Sequence, residues 1–326
     1  MRPLPPSPPS VDRFRSAVEA LGLGSDRLGL AVSGGPDSLA LLLLGAAAFP
    51  ERVEAATVDH GLRPEGVAEA RFVAELCAAL GVPHAILAVE VPRDGASVQM
   101  KARRARYAAL GDWIEARALA ALATAHHLDD QAETLMMRLL RGSGVSGLAA
   151  IRALGPIPGR GGQGRLVRPL LGWRRHDLRR LVEDAGIEPV DDPSNRDPRF
   201  DRARLRERLA GAPWLDPVPL ARSAAALAEA DAALEWTVAM LARERLARDG
   251  PMLRLDAAGI PAELQRRLVL AALGTIHPEM PPPRGEEVAR LLERLRAGKA
   301  ATLGEVACRG GAIWTFAPAP PRRRPG

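Results

Sequence analysis

The string SGGPDS combines groups that hold a phosphate with one that repels it. Its two glycines allow a tight turn that brings backbone N–H groups against an anion, and its serines add hydroxyl donors at the start of a helix. A carboxylate beside that anion is stabilised when Mg²⁺ lies between them, because Mg²⁺ is usually bound by one or two carboxylates together with phosphate oxygens. The candidate phosphate loop consists of Ser33, Gly34, Gly35, Pro36, Asp37 and Ser38, with Asp37 as the metal ligand.

A second cluster, in the segment TAHHLDDQAET, places carboxylates at helical spacing. Asp129 and Glu133 are one turn apart, as are Asp130 and Glu133, so in a helix all three lie on one side. Like charges this close are stabilised by a cation, either a metal ion or an amine. The alternative is a solvated, acidic helix start that complements the helix dipole. The opposite, apolar face of this helix is predicted to consist of Leu128, Ala132, Leu135, Met136 and Leu139.

The elements around the two clusters alternate between short apolar runs and helical patterns. This alternation predicts a parallel sheet covered by helices on both faces, the α/β, Rossmann-like class. Such sheets bind ligands at the carboxyl ends of their strands. Both clusters follow predicted strands, and so does VDHGLR, which adds Asp59 and His60. The predicted strands are Leu28–Val32, Val53–Val58, His84–Val89 and Leu119–Thr124.

The composition predicts a soluble protein and favours a polyanionic partner. Among 326 residues, 45 are basic and 39 acidic, which gives a net charge of +6. All the basic residues except Lys101 and Lys299 are arginines, which a codon bias explains, so their clustering is more informative than their number. No signal peptide or membrane span is recognisable, and Cys77 and Cys308 form neither a disulfide framework nor a CxxC metal motif. We therefore expect a cytoplasmic protein.

The sequence pattern changes after about residue 212, which predicts a second, smaller domain. Proline and glycine interrupt the connector GAPWLDPVPL, and an alanine-rich helix follows from Ser223 to about Leu246. Further helical patterns and a β-hairpin in ATLGEVACRGGAIWTFAP indicate a mostly helical domain. The predicted organisation is a proline-rich segment and helix (1–24), a catalytic domain (25–212), and a connector helix with a small C-terminal domain (213–326).

No lysine follows the glycines, which separates SGGPDS from the Walker phosphate loop. The string resembles instead the pyrophosphate (PP) loop of the N-type ATP pyrophosphatases, which cleave ATP between its α and β phosphates to adenylate a substrate. Together with VDHGLR, ARRARY, TAHHLDDQAET, RGSGVSGL and RPLL, in this order, it resembles the tRNA(Ile)-lysidine synthases in their compact form. The resemblance spans roughly Leu28 to Arg206.

The resemblance implies a two-step reaction. These enzymes adenylate C2 of the wobble cytidine in an isoleucine tRNA with a CAU anticodon, and the ε-amine of free L-lysine then displaces AMP to form lysidine. The implied substrates are ATP, with Mg²⁺ as cofactor, lysine and this tRNA, and no membrane is involved. The sequence leaves open the oligomeric state, a homodimer included, the identity elements of the tRNA, and how the methionine tRNA with the same anticodon is rejected.

The resemblance also assigns residues to these roles. The catalytic residues are Asp37, Arg103, His127, Asp130 and Glu133. The ATP-binding residues are Ser33, Gly34, Gly35, Pro36, Asp37, Ser38, Asp59 and His60. The ammonium of lysine is expected at Asp129, Asp130 and Glu133, and either His127 or one of these carboxylates accepts its proton. The tRNA-binding residues are Arg141, Arg196, Arg202 and Arg206.

The arginine-rich segment at the end of the first domain favours contacts with RNA. Its arginines surround a predicted helix on nearly all sides, which suits phosphate contacts better than a structural face. Since only 3% of residues are aromatic, backbone charge and tRNA shape should dominate recognition. The family usually has RNxxR here, but this chain has RARLR, so Ala203 puts a side-chain hydrogen bond from that position in doubt.

Two other functions compete with this interpretation. A tRNA thiolase with the same loop would use clustered cysteines, and Cys77 and Cys308 are far apart in the chain. A catalytically silent module that binds nucleotide and RNA has no need of Asp37, the carboxylates or His127. The predicted C-terminal domain is expected to help discriminate the tRNA in the first interpretation.

Overall fold

The computed structural model of the chain describes residues 3–61, 65–91, 98–190, 201–212 and 214–320. It divides into two compact units, Met1–Ala228 and Glu229–Gly326. The division falls inside helix α9 (Pro217–Arg245), so the first turns of this helix belong to the larger unit. The domain limits inferred from the sequence remain predictions.

The larger unit contains a six-stranded sheet in the order β3-β2-β1-β4-β6-β5. All neighbouring strands are parallel except β5, which pairs antiparallel with β6 at the edge. This arrangement confirms the predicted α/β class and brings the carboxyl ends of five strands to one edge. The strands are β1 (Leu28–Ala31), β2 (Val53–Asp59), β3 (His84–Ala88), β4 (Ala121–Ala123), β5 (Leu154–Pro156) and β6 (Arg165–Val167).

Helices cover both faces of this sheet. They are α1 (Pro8–Ala20), α2 (Pro36–Ala48), α3 (Glu65–Leu80), α4 (Val98–Ala116), α5 (Leu128–Leu139), α6 (Val145–Leu148), α7 (Arg175–Asp184) and α8 (Asp201–Ala210). Alternation along β1 assigns Leu28 and Leu30 to the core shared with α1, α2, α3 and α7. Gly29 faces α4, where the side chains of Trp113 and Ile114 occupy the space that a Cβ would need.

Helix α2 is apolar on almost every side, because it lies between the sheet and the helices α1 and α7. Its residues from Ser38 to Gly45 are all buried. Since α2 follows β1 directly, this packing fixes its first turn at the carboxyl edge of the sheet.

Helix α5 does not bury its two faces as the sequence predicts. The predicted apolar face is only partly buried: Ala132 and Leu135 are enclosed, but Leu139 is 53% exposed. The predicted polar face carries Glu133, which is only 3% exposed. Both sides of the helix are therefore partly enclosed, because charged partners from other elements surround the carboxylates.

The smaller unit packs helices against a five-stranded antiparallel sheet in the order β7-β8-β11-β10-β9. The sequence indicated only a hairpin, and strands β7 and β8 were missed because each has only four residues. The elements are the end of α9, β7 (Leu246–Asp249), β8 (Met252–Leu255), α10 (Ala262–Ile276), α11 (Gly285–Arg296), β9 (Ala300–Leu303), β10 (Val306–Arg309) and β11 (Trp314–Pro318). In the described residues, no helix is long and apolar enough to cross a membrane.

Candidate active site

The SGGPDS loop is held in shape by its own polar groups. Gly34 has φ of +84°, which favours glycine, and its carbonyl oxygen accepts a hydrogen bond of 3.0 Å from the backbone of Val190. The Ser38 hydroxyl donates to the Gly35 carbonyl (2.9 Å) and accepts from the Ser33 amide (3.1 Å). The first turn of α2 therefore points its amide groups and its dipole at a defined position beyond the sheet edge.

Asp37 lies in that first turn and offers one unused carboxylate oxygen. Its Oδ1 is buried and has no hydrogen-bond partner among the described residues. Its Oδ2 lies 3.4 Å from Nε2 of His127. A buried carboxylate oxygen without a donor is costly unless a cation binds there, so the residue fits the predicted metal ligand.

His127 connects the loop to helix α5, which it caps. Its Nδ1 accepts a hydrogen bond of 3.3 Å from the amide of Asp130, and the Asp130 carboxylate accepts one of 3.1 Å from the amide of His127. The ring is 1% exposed. Its Nε2 lies 3.4 Å from Oδ2 of Asp37 and 3.4 Å from Nε of Arg175.

The Glu133 carboxylate is neutralised by three guanidinium groups of the chain itself. It accepts hydrogen bonds from Arg175 (2.9 Å), Arg202 (2.7 Å) and Arg206 (2.7 Å). Asp130 shares this environment through a contact of 2.9 Å with Arg202. The cation that the carboxylate spacing requires is thus supplied by arginines, and we call these five residues the carboxylate–arginine cluster.

The cluster holds both carboxylates in the charged form. Burial by itself raises the pKa of Glu133, but hydrogen bonding to Arg206 and the charges of Arg202 and Arg175 outweigh it, so the pKa lies below its ordinary value. Burial likewise raises the pKa of Asp130, and the neighbouring His127 and Arg202 lower it to a net decrease.

Asp129 lies beside the cluster but bonds to the start of α7. Its carboxylate accepts a hydrogen bond of 2.7 Å from the amide of Arg175 and lies 3.3 Å from the Arg174 guanidinium. Burial raises its pKa, but these donors outweigh burial and lower it. Asp129 therefore stabilises the helix that delivers Arg175 to Glu133.

The predicted nucleotide-binding residues Asp59 and His60 follow β2. Asp59 accepts a hydrogen bond of 3.0 Å from the amide of Gly61. His60 has a buried Nδ1 without a partner among the described residues, and its Nε2 lies 3.4 Å from Nε of Arg106. Burial and the charge of Arg106 lower the pKa of His60, against the opposing effect of Asp59. His60 is therefore neutral at pH 7.

The remaining residues named from the sequence lie outside the PP loop and the carboxylate–arginine cluster. Arg103 lies on α4 with its guanidinium carbon 5.0 Å from the centroid of the Tyr107 ring. Arg141, just after α5, is exposed and forms an ion pair of 2.9 Å with Asp201. Arg196 lies outside the described residues, and Ala203 is half-buried on α8.

Four residues of this region were not predicted from the sequence. Arg174 and Arg175 contact the carboxylates, and His126 and Arg168 lie at the carboxyl ends of β4 and β6. The signal that could have identified Arg168 is the RPLL string, whose arginine directly follows the apolar residues Leu166 and Val167. No sequence signal pairs Arg175 with Glu133.

The comparisons with known proteins agree with this geometry. A model of the PP-loop domain matches residues 8–212. A tRNA(Ile)-lysidine synthase from Novosphingobium aromaticivorans is 49% identical over 96% of this chain and 95% of that protein. The chain belongs to the tRNA(Ile)-lysidine synthase family. A second member of the family, from Zymomonas mobilis, is 45% identical over 97% of this chain and 96% of that protein.

Among solved structures, the fold is similar to that of the U34-tRNA thiolase NcsA from Methanococcus maripaludis. The TM-score is 0.51 at 16% sequence identity, with 68% of this chain and 77% of the thiolase covered. At this identity the likeness concerns the fold alone. The match to the PP-loop domain therefore accounts for the parallel sheet.

Proposed function

We propose that this chain is an ATP-dependent ligase that converts the wobble cytidine of the CAU-anticodon isoleucine tRNA to lysidine. In the first step the cytidine O2 attacks the α phosphate of ATP, and pyrophosphate leaves. In the second step the lysine ε-amine attacks C2, and the C2–O bond breaks to release AMP. The observation that carries this proposal is the meeting of Asp37, in the PP loop, with His127 at the head of the acidic helix.

The PP loop suits the first step. Amide groups at the N-terminus of α2 stabilise the negative charge of the leaving pyrophosphate, and the positive end of the helix dipole adds to this effect. We propose Ser33, Gly34, Gly35, Pro36 and Ser38 as the pyrophosphate site, with Asp59 and His60 toward the nucleoside. Arg103 is proposed to act near the reacting phosphate or the cytidine.

Asp37 is the proposed Mg²⁺ ligand. Its buried, unpartnered Oδ1 provides the oxygen that such an ion would bind. Mg²⁺ bound there would neutralise the phosphate charges that Asp37 otherwise repels. His127 orients the carboxylate through its other oxygen.

The proposed lysine site is the set Asp129, Asp130 and Glu133. Arginines already bind Asp130 and Glu133, so the ammonium of lysine would replace a guanidinium there. Asp129 instead accepts a hydrogen bond from the start of α7. The lysine must lose a proton before it attacks. His127 has its Nδ1 lone pair engaged by Asp130, so a carboxylate is the better candidate for the base.

The proposed tRNA contacts are Arg141, Arg196, Arg202 and Arg206, together with the smaller unit, in a cytoplasmic enzyme. The thiolase alternative is disfavoured by the cysteines. Burial raises the pKa of Cys77 and of Cys308 to about 12, so neither forms a thiolate readily. A module that binds nucleotide and RNA without catalysis would not require the Asp37–His127 contact.

The test is incorporation of labelled L-lysine into an isoleucine tRNA transcript with a CAU anticodon, in the presence of ATP and Mg²⁺. We expect one lysine per tRNA, with AMP and pyrophosphate released in equal amounts. A transcript with uridine in place of the wobble cytidine is the matched control and should remain unmodified. Absence of lysine from the RNA, with ATP still bound, would contradict the proposal.

A further inference from the structure

Three arginines outside the carboxylate–arginine cluster gather around Tyr107, a side chain that is 3% exposed. The Arg103 guanidinium lies over the ring, 5.0 Å from its centroid. The Arg168 guanidinium lies beside the phenol hydroxyl, and the charge of Arg106 also acts on this group. Arg103 and Arg106 are one turn apart on α4, and Arg168 directly follows β6. We call the three arginines the Tyr107 triad.

Among the residues that the structure describes, the Tyr107 triad has no counter-charge. No carboxylate among the residues that the structure describes pairs with Arg103, Arg106 or Arg168, whereas Glu133 alone accepts from three arginines. Nε of Arg168 is buried and lacks an acceptor. A buried donor without an acceptor and like charges close together both cost free energy. An anion bound between the three would remove this cost.

The position of the triad distinguishes it from the pyrophosphate site. Helix α4, which carries two of the three arginines, packs on the face of the sheet opposite α2, as the two separate hydrophobic cores show. The PP loop opens at the start of α2. The third arginine lies near His126, whose pKa burial and the charges of Arg168, Arg202 and Arg103 lower to about 4. The triad thus borders the carboxyl edge of the sheet on the side away from the pyrophosphate donors.

We propose that Arg103, Arg106 and Arg168 bind a backbone phosphate of the RNA substrate beside the base that reacts. This inference rests on the proposed function and adds the group that positions the target nucleotide. Arg103 and Arg106 are exposed, as a site for a macromolecular ligand requires, and guanidinium groups bind phosphate oxygens with directed pairs of donors. The ATP phosphates already have donors in the PP loop.

The first experiment measures the affinity of full-length R103Q, R106Q and R168Q for the isoleucine tRNA across a salt series. Each variant should bind the tRNA about tenfold more weakly, and the slope of log K against log salt should fall by about 1. The affinity of R168Q for ATP should be unchanged. The matched control is R71Q, since Arg71 is an exposed arginine of α3 and not part of the Tyr107 triad. Thermal melting confirms that each variant is folded.

The second experiment replaces the two phosphates that flank the wobble cytidine by neutral methylphosphonates, one at a time. One replacement should weaken binding to the wild-type protein by the same factor as R106Q, and it should have no further effect on R106Q. Additive effects at both linkages would overturn the proposal, as would wild-type tRNA affinity and salt slope in all three variants. Loss of ATP affinity instead would assign the triad to the nucleotide.

These outcomes separate this inference from the proposed function. A wild-type protein that binds the tRNA but incorporates no lysine would contradict the proposed function, while the salt slopes still test the triad. Unchanged slopes in variants of an active enzyme would contradict the triad alone.

Discussion

Nε2 of His127 lies 3.4 Å from Oδ2 of Asp37. This contact joins the first turn of α5 to the first turn of α2, although 89 residues of sequence lie between the two side chains. It follows from the sheet order, because β1 and β4 are neighbours and each leads directly into one of these helices. The second carboxylate oxygen of Asp37 has no hydrogen-bond partner among the described residues.

Replacement of Asp37 by asparagine should abolish most of the adenylation. The amide cannot neutralise a bound cation, so we expect release of pyrophosphate to slow by about 10²- to 10³-fold. The release can be measured with tRNA and ATP in the absence of lysine. D12N, at a carboxylate that is 70% exposed on α1, should retain the wild-type rate. A nearly active D37N enzyme would exclude Asp37 as the metal ligand.

Two substitutions at His127 should separate its capping role from its contact with Asp37. H127A removes the cap of α5 and should lower the free energy of unfolding by about 1 kcal/mol. H127N retains a capping side chain and should be close to the wild type in a urea titration. Both variants lose the contact between Nε2 of the ring and Asp37 and should be slow in lysidine formation. Equal stability of the two variants would argue against the cap.

Glu133 should contribute to the stability of the fold and to the binding of lysine. E133Q leaves three guanidinium groups without their shared carboxylate, so we expect a loss of about 3–5 kcal/mol at pH 7. Because folding lowers the pKa of Glu133 from its ordinary 4.5, its contribution is present above pH 4.5 and is lost as the pH falls through the lowered value. The difference between E133Q and the wild type should therefore shrink in acid. Urea titrations at several pH values measure it.

The kinetic part of the same prediction concerns substrate affinity. If the ammonium of lysine binds at Glu133, residual activity of E133Q should show a KM for lysine raised about tenfold, with the KM for ATP unchanged. E207Q, an exposed position on α8, is the control. Equal effects on both KM values would indicate a purely structural carboxylate.

His126 should make the fold sensitive to mild acid. Burial and nearby arginines lower its pKa from 6.5 to about 4. Between these two pH values His126 is protonated in the unfolded chain but neutral in the folded protein. Stability is complete above pH 6.5 and falls as the pH approaches 4, by at most about 3 kcal/mol from this residue. H126Q should reduce the decrease in the urea midpoint between pH 7 and pH 4.5. An identical decrease in both proteins would contradict the shifted pKa.

Arg267 should be essential for the stability of the smaller unit. Its side chain is 4% exposed and forms ion pairs with Asp231, Glu235 and Glu263. R267M removes the positive charge that the three carboxylates share. We expect the free energy of unfolding to fall by about 3–5 kcal/mol, as measured by thermal or chemical unfolding. R248M, at an exposed arginine of β7, should be neutral. Wild-type stability of R267M would show that solvent compensates these carboxylates.

Local patterns predicted the parts of the site that depend on neighbouring residues in the chain. The SGGPDS turn and the strand before it are formed within a few residues. Buried strands at regular intervals likewise predicted the parallel sheet, and the order of the motifs predicted the family.

Only the tertiary structure decided which charges meet. The partners of Glu133 lie 42, 69 and 73 residues further along the chain, on helices α7 and α8. Periodicity shows that carboxylates share a face of α5, but it does not show what covers that face. The arginines of α7 and α8 cover it, so the acidic side is buried and Leu139 is exposed. The sequence determined the chemistry of the loop and of the acidic helix, and the packing of distant helices decided which charges balance it.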